Sequence, residues 1–273
     1  MPSRSQMPVN ARLARTVRFG VTMPPNPASL ETPRHDTHVG WPALDVATGG
    51  SWAATVEVAG EPDPRTGYLI GIDRIDRAIR EIALPRLLDR LAGEPITGID
   101  VVRLLHDAAA SSLSVPVTAV TLRIEPLSAW RLESHAMTTP IVQRRYEFSA
   151  SHRLHLPDLD DDANRAMFGK CSNPNGHGHN YEVEVQVAFE GDPMSGTVLQ
   201  LDEIVDRVVI ERFDHTHLNL DVDDFRDRIP SVENITARCV ELLREPVAGL
   251  ATGARLHAVT VWETPRTACT IHA

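Results

Sequence analysis

The sequence predicts an α+β protein made of two copies of one β-β-α-α-β-β unit, each an antiparallel four-stranded sheet with both helices on one face. Three observations predict it. First, the chain repeats itself. Shifted by 129 positions, Val56, Val58, Ala59, Glu61, Asp63, Pro64, Gly67, Asp73 and Ile75 fall on Val185, Val187, Ala188, Glu190, Asp192, Pro193, Gly196, Asp202 and Ile204, nine identities in twenty ungapped positions. Phe19 falls on Phe148 at the same offset. Second, each copy runs from period-2 alternation into helical spacing and back to period 2, in the same order. Third, each copy is the size of a domain, so the match is more than two hairpins with similar turns.

The elements follow in order. An extended segment opens each copy (Thr16–Met23; Ile141–Leu154), and a second strand alternates polar and apolar residues (TVEVA; YEVEVQVAF). A turn rich in Asp, Pro and Gly follows (EPDPRTG; EGDPMSG). Another short strand, YLIGI or TVLQL, is expected to lead into the first helix, with Asp73 and Asp202 as N-caps. The helices IDRAIREIALPRLLDRL and EIVDRVVIERF carry apolar residues at helical spacing. A second helix (Gly98–Ala110; Ser231–Glu245) and two closing strands (Thr118–Glu125 with Ala129–Leu132; Arg255–Glu263 with Ala268–His272) complete each copy. The expected domain map is a mobile tail over 1–13, a first domain over 14–132, a Ser/Thr/Pro linker over 133–140 and a second domain over 141–273.

Composition excludes several classes. At 42% hydrophobic and 23% charged, the 273 residues can bury real cores and are not disordered. A net charge of −10 argues against nucleic-acid partners, whose phosphates need clustered cations. No apolar run approaches the roughly 18 residues of a membrane helix, and the start MPSRSQMPVNARLAR lacks a signal-peptide core. Three cysteines, Cys171, Cys239 and Cys269, do not make a disulfide framework and suit a reducing cytoplasm.

The chemistry-bearing residues lie in the second copy. His177-Gly178-His179 opens a strand, where residues i and i+2 share a face, so both imidazoles can reach one ion. His152 ends the preceding strand of the same sheet. Three neutral imidazoles with an open fourth position make a catalytic zinc site, although copper, iron and nickel also accept imidazole. Cys171, six residues before His177, lies on a loop beside Lys170. A nearby cation would favour its thiolate as base or nucleophile, and the alternative is a structural or ligating thiol. Cys239 and Cys269 read as small buried residues. Asp214-His215 suits acid–base work, with the Asp fixing the imidazole's tautomer, unless His215 is a helix C-terminal histidine. Glu263 ends an apolar strand and is either a surface carboxylate or one awaiting a ligand's N–H edge. Glu233 is either part of a helix start or a ligand contact.

The segments FSASHRLH, MFGKCSNPNGHGHNY, FDHTHLNLDV, PSVENIT and VWET closely resemble, in order, the 6-pyruvoyl tetrahydropterin synthase family across 146–272. The resemblance implies the tunnelling fold, in which four-stranded sheets from several units close an oligomeric barrel. It implies zinc on His152, His177 and His179, Cys171 as general base, Asp214 and His215 as proton relay, and Glu263, helped by Glu233, as anchor for the pterin edge. The implied reaction converts 7,8-dihydroneopterin triphosphate to 6-pyruvoyl tetrahydropterin with loss of triphosphate. Related 6-carboxytetrahydropterin synthases of the deazapurine pathway have three residues between the cysteine and HGH. Here there are five, Ser172 to Gly176, as in the pyruvoyl-forming branch. The carboxy-forming reaction, and a non-catalytic pterin-binding zinc protein, are the alternatives. Val232 stands where the family prefers Thr. Single-domain relatives form stacked trimers, so three or six tandem chains are expected to build the barrel.

The first copy departs from this pattern. At the same offset His152, His177 and His179 become Met23, Thr48 and Gly50, and Cys171 becomes Pro42. With gaps, Asp214-His215 aligns with Asp89-Arg90, Glu233 with Gly98 and Glu263 with Glu125. His35 and His38 read as loop histidines. The first copy is therefore expected to keep the fold without the reaction.

Overall fold

The computed structural model describes residues 10–22, 49–93, 96–193, 196–251 and 253–273. The chain divides into two compact units, Met1–Pro140 and Ile141–Ala273. In the first, strand β1 (Ala11–Thr22) pairs antiparallel with β2 (Gly49–Gly60), β2 with β3 (Val117–Glu125), and β3 with β4 (Ser128–Glu133). Between β2 and β3 come α1 (Ile72–Arg77), a π-helical segment (Ala78–Ala83), α2 (Leu84–Leu91) and α3 (Gly98–Ser112). In the second unit β5 (Ile141–His152) pairs antiparallel with β6 (His177–Ala188), β6 with β8 (Arg255–Thr264), and β8 with β9 (Thr267–His272). Helix α4 (Asp161–Phe168) and a 3-10 turn (Gly169–Ser172) connect β5 to β6. After β6 come α5 (Thr197–Val205), a π-helical segment (Asp206–Ile210) and α6 (Glu211–Phe213). Then follow β7 (Thr216–His217), which runs parallel to β5, α7 (Leu218–Asp221), a 3-10 turn (Asp223–Phe225) and α8 (Val232–Ala248).

Each sheet buries one face under its helices. In the first unit Val17, Phe19, Ala54, Val56, Val120 and Leu122 pack with Ile75, Ile79, Ile99 and Leu105 in one buried cluster. In the second Phe148, Tyr181, Val183 and Val261 are buried, and so are Phe213, Ile235 and Leu243 of its helices. The opposite face carries ion pairs: Arg131 with Glu57 in one unit, and in the other Arg145 with Glu182 and Glu184, its guanidinium 4.5 Å from the Trp262 ring. Period-2 alternation produces this division.

The registers show the repeat more strongly than the sequence. Arg12 pairs with Ala59 and Ile141 with Ala188, so the first strand pair of each unit keeps the offset of 129. Both units shift register at corresponding places, between Glu57 and Val58 and between Gln186 and Val187. A second shift falls between Arg123 and Glu125 and between Trp262 and Thr264. In each unit a strand arginine reaches a helix carboxylate with two hydrogen bonds, Arg15 to Asp76 and Arg144 to Asp202.

Several expectations are corrected. TVLQL is the start of α5, not a strand, and 68–71 holds no strand either. Thr197, Leu201 and Val205 are buried at a spacing of four, which is helical. The N-caps are Gly71 and Gly196, not Asp73 and Asp202. Asp202 lies inside α5, where Arg144 and the Tyr146 hydroxyl both donate to it. β1 begins at Ala11, so Ala11–Leu13 belong to the strand rather than to a tail. Ser134, at the start of the expected linker, donates to Val117 and Thr118 carbonyls of β3. The second helices start as the sequence suggests, with Thr97 and Ser231 as N-caps.

Candidate active site

The site begins with strand register. His152 and His177 are direct partners across β5 and β6, and Ala150 faces His179. Alternation puts His177 and His179 on one face with His152, and their ligating atoms all lie within 4.8 Å of one another. The His152 and His177 Nε2 atoms are 3.1 Å apart. His152 Nδ1 donates to the Pro230 carbonyl at 2.7 Å, which leaves the Nε2 lone pair facing the other two rings. His152 is fully buried, and burial, reinforced by the neighbouring imidazoles, pushes its pKa down to about 4. Burial also lowers that of His177. Neutral imidazoles are the form that binds metals.

The donor set fits a metal ion. The buried His179 Nε2 has no hydrogen-bond partner, and neither has His177 Nδ1. A Glu263 oxygen lies 3.4 Å from His152 Nε2 and 3.7 Å from His179 Nε2. Lone pairs converging beside a carboxylate repel one another unless a cation lies among them.

The surroundings hold this end of the sheet rigid. Gly176 adopts φ +69°, and a Cβ there would lie 2.9 Å from both the His152 carbonyl and His217 Nε2, so the turn into His177 needs glycine. The Asn219 side chain accepts from Arg153 N–H and donates to its carbonyl. Arg153 Nε donates to the Ser172 carbonyl, and Leu154 N–H to that of Cys171. The half-buried Cys171 is thereby tied to Leu154, two residues beyond His152 at the end of β5. Tyr181 is fully buried, stacked on Phe148 at 4.8 Å, with its hydroxyl unpartnered. Burial, together with the Glu263 charge, raises its pKa.

Asp214 and His215 follow α6 in a left-handed turn, with φ +56° at His215. His215 Nδ1 donates to the Asp214 carboxylate at 2.7 Å, whose other oxygen accepts Ser149 N–H at 2.8 Å. These two bonds hold the Asp214 carboxyl below the usual carboxylate range. The His215 ring is exposed and lines an open depression of 530 Å³ together with Ser149, His179, Asn180 and His217. Thus the structure brings the three imidazoles and Glu263 together and sets His215 along the same depression as His179. Glu233 stands exposed in the first turn of α8. Cys239 is buried, as expected, and its thiol is pushed up to about 12, whereas Cys269 on β9 is only half-buried. Pro230, Asn219 and Tyr181 lie within the segments that carry the family resemblance, but no role is read for them from the sequence.

The first unit carries different residues at the matching described positions. Trp52 lies opposite Phe19 as Tyr181 lies opposite Phe148. A Cβ on Gly50, the His179 counterpart, would meet the Trp52 indole nitrogen at 2.9 Å. Strand registers pair Leu122 with Trp130 and Val261 with Cys269, so the Glu263 counterpart is Ile124, not Glu125. The N-caps place Ile99, not Gly98, opposite Glu233. Asp89 and Arg90 lie inside α2, whereas Asp214 and His215 follow a helix end. His35, His38, Met23, Pro42 and Thr48 lie outside the described residues.

Known proteins resemble the second unit in sequence. The family model described as 6-pyruvoyl tetrahydropterin synthase matches residues 141–273. A human protein named 6-pyruvoyl tetrahydrobiopterin synthase is 41% identical over 126 residues, 45% of this chain and 84% of its own length. The chain belongs to the 6-pyruvoyl tetrahydropterin synthase family. A solved member from Caenorhabditis elegans aligns at 35% identity over 50% of this chain and 96% of its own, with a TM-score of 0.45. A uricase from Arthrobacter globiformis aligns over 99% of this chain and 94% of its own at 7% identity and a TM-score of 0.49. The synthase family is one of metalloenzymes, and His152, His177 and His179 are the group among the described residues that could hold the metal. No helix among the described residues is long and apolar enough to cross a membrane.

Proposed function

We propose that the second unit is a zinc-dependent lyase that converts 7,8-dihydroneopterin triphosphate to 6-pyruvoyl tetrahydropterin and triphosphate. The observation that carries this reading is the convergence of three imidazole donors within 4.8 Å beside Glu263, in a chain that is 41% identical over 126 residues to a human protein named 6-pyruvoyl tetrahydrobiopterin synthase. A zinc ion held by His152, His177 and His179 supplies Lewis-acid polarisation of the substrate's side-chain hydroxyls. Cys171 takes the proton from the carbon next to a held hydroxyl. His215, oriented by Asp214, exchanges protons at its exposed Nε2 with the substrate side chain. Loss of triphosphate and internal redox tautomerisation then give the two carbonyls without an external oxidant. Glu263 accepts the pterin N–H edge and Glu233 adds a second carboxylate to it. The Pro230 carbonyl keeps His152 in the tautomer that presents Nε2.

The first unit supplies sheet rather than catalysis. Three or six tandem chains close the barrel, as light scattering on the purified protein would register. The free thiol of Cys171 suits a reducing cytoplasm. The test is incubation of the full chain with dihydroneopterin triphosphate, with and without a chelator. Expected are the pyruvoyl product and triphosphate, lost on chelation and restored by zinc. A product lighter by the two carbons of acetaldehyde would assign the carboxy-forming reaction instead. No turnover by the metal-loaded chain would leave only a pterin-binding metal protein.

A further inference from the structure

Beside the candidate site lies a second cavity of 570 Å³, lined by Arg153, Asp161, Arg165, Lys170, Ser172 and Asn173. That volume is within the roughly 300–1,000 Å³ of small-molecule sites. Three cations meet one carboxylate here, in a chain whose net charge is −10. Arg153 has its Nε fixed by the Ser172 carbonyl, and its guanidinium reaches Asp161 only at 3.9 Å. Arg165 and Lys170 are exposed and have no ion-pair partner among the described residues. The wall is continuous with the chemistry, because Arg153 follows His152 and Lys170 precedes Cys171.

We propose that this cavity is an oligophosphate-binding site in which Arg153, Arg165 and Lys170 hold the substrate's triphosphate. The identity of the ligand rests on the lyase reading; the preference for a polyanion rests on the cavity alone. Guanidinium groups and an ammonium converging on one open space match the spread charge of linked phosphates, and a neutral pterin tail gains nothing from them. The site orients the leaving group, so it acts on the elimination by positioning.

The test is calorimetric titration of the full-length chain with sodium tripolyphosphate, beside R165Q, K170Q, the double variant and D161N. R165Q and K170Q are each expected to weaken binding about tenfold. D161N is expected to tighten it, and binding should weaken with added salt. All of these side chains are solvent-exposed, so melting temperatures should stay unchanged. No tripolyphosphate binding by the wild type, or equal affinity in the double variant, would overturn the assignment. The same variants assayed with dihydroneopterin triphosphate should show a raised KM. Normal turnover with an unchanged KM would remove the cavity and leave the lyase standing. Absent turnover with cation-dependent tripolyphosphate binding would keep the cavity and remove the lyase.

Discussion

The two units share the pairing of their four long strands and differ in what stands at one end of the sheet. Strand offsets, both register shifts, the π-helical segment and the arginine–aspartate brace between strand and helix recur in each. At the position of the imidazoles, however, the first unit has Gly50 under the Trp52 indole, Ile124 in place of Glu263 and Trp130 in place of Cys269. The difference teaches that register and catalysis separate cleanly. Burial on alternate residues holds the sheet in place whichever residues line the strand ends. Among the described residues Gly50 and Ile124 stand where His179 and Glu263 stand in the second unit, and neither side chain offers a donor atom to a metal.

The comparison can be broken or sharpened experimentally. The largest effect is expected from H177A. It removes one of three donors, so bound metal should fall well below one per chain. Turnover should drop by more than the roughly 10–100-fold typical of outer-shell changes around a metal. Elemental analysis and product assay together check this, and full metal occupancy would show that the trio is not the metal site.

Next is acid stability of the second unit. Burial depresses His152 to about 4, so the unfolded chain takes up a proton near pH 6.5 that the folded chain refuses. Stability is complete above about pH 6.5 and is lost as pH falls towards 4, by up to about 3 kcal/mol for the chelator-treated chain. Thermal melts from pH 7 to pH 4 should show the loss, and H152F should flatten it.

A smaller effect is expected from G50H, which restores a histidine to the first unit. Its Cβ meets Trp52, so the variant should lose about 1–3 kcal/mol and still bind one metal per chain. A second bound metal would show that the space is open after all. The smallest effect tests the shared brace. R15M and R144M remove half-buried ion pairs, and each should cost about 1 kcal/mol or less, with matching shifts in melting temperature. Unequal shifts would mean that the brace has diverged too.

Much of this is legible in sequence because it depends on periodicity. The H-x-H pair declares its shared face through a period of two, and the helix expected from Gly98 begins there. What is not legible depends on partners with no signature. Pro230 contributes a carbonyl that any residue possesses, and Asn219 acts from a segment 66 residues beyond Arg153. Both copies shift register at this place, so the alignment survives it; Glu125 reads as the match of Glu263 because both are carboxylates, although Ile124 occupies its face. TVLQL reads as a strand because a short apolar run fits either period until its burial is known. The brace also shows that Asp202 corresponds in role to Asp76, one helical turn from the Asp73 that the ungapped offset selects.

His215 is the one non-glycine residue with positive φ among those described. An ordinary side chain in that conformation costs about 1–2 kcal/mol, which glycine would relieve. Strain of this kind collects at working sites, and here it falls on the residue proposed as the proton relay. Anyone raising the heat tolerance of this protein should expect the easiest gain to lie at the residue least safe to change.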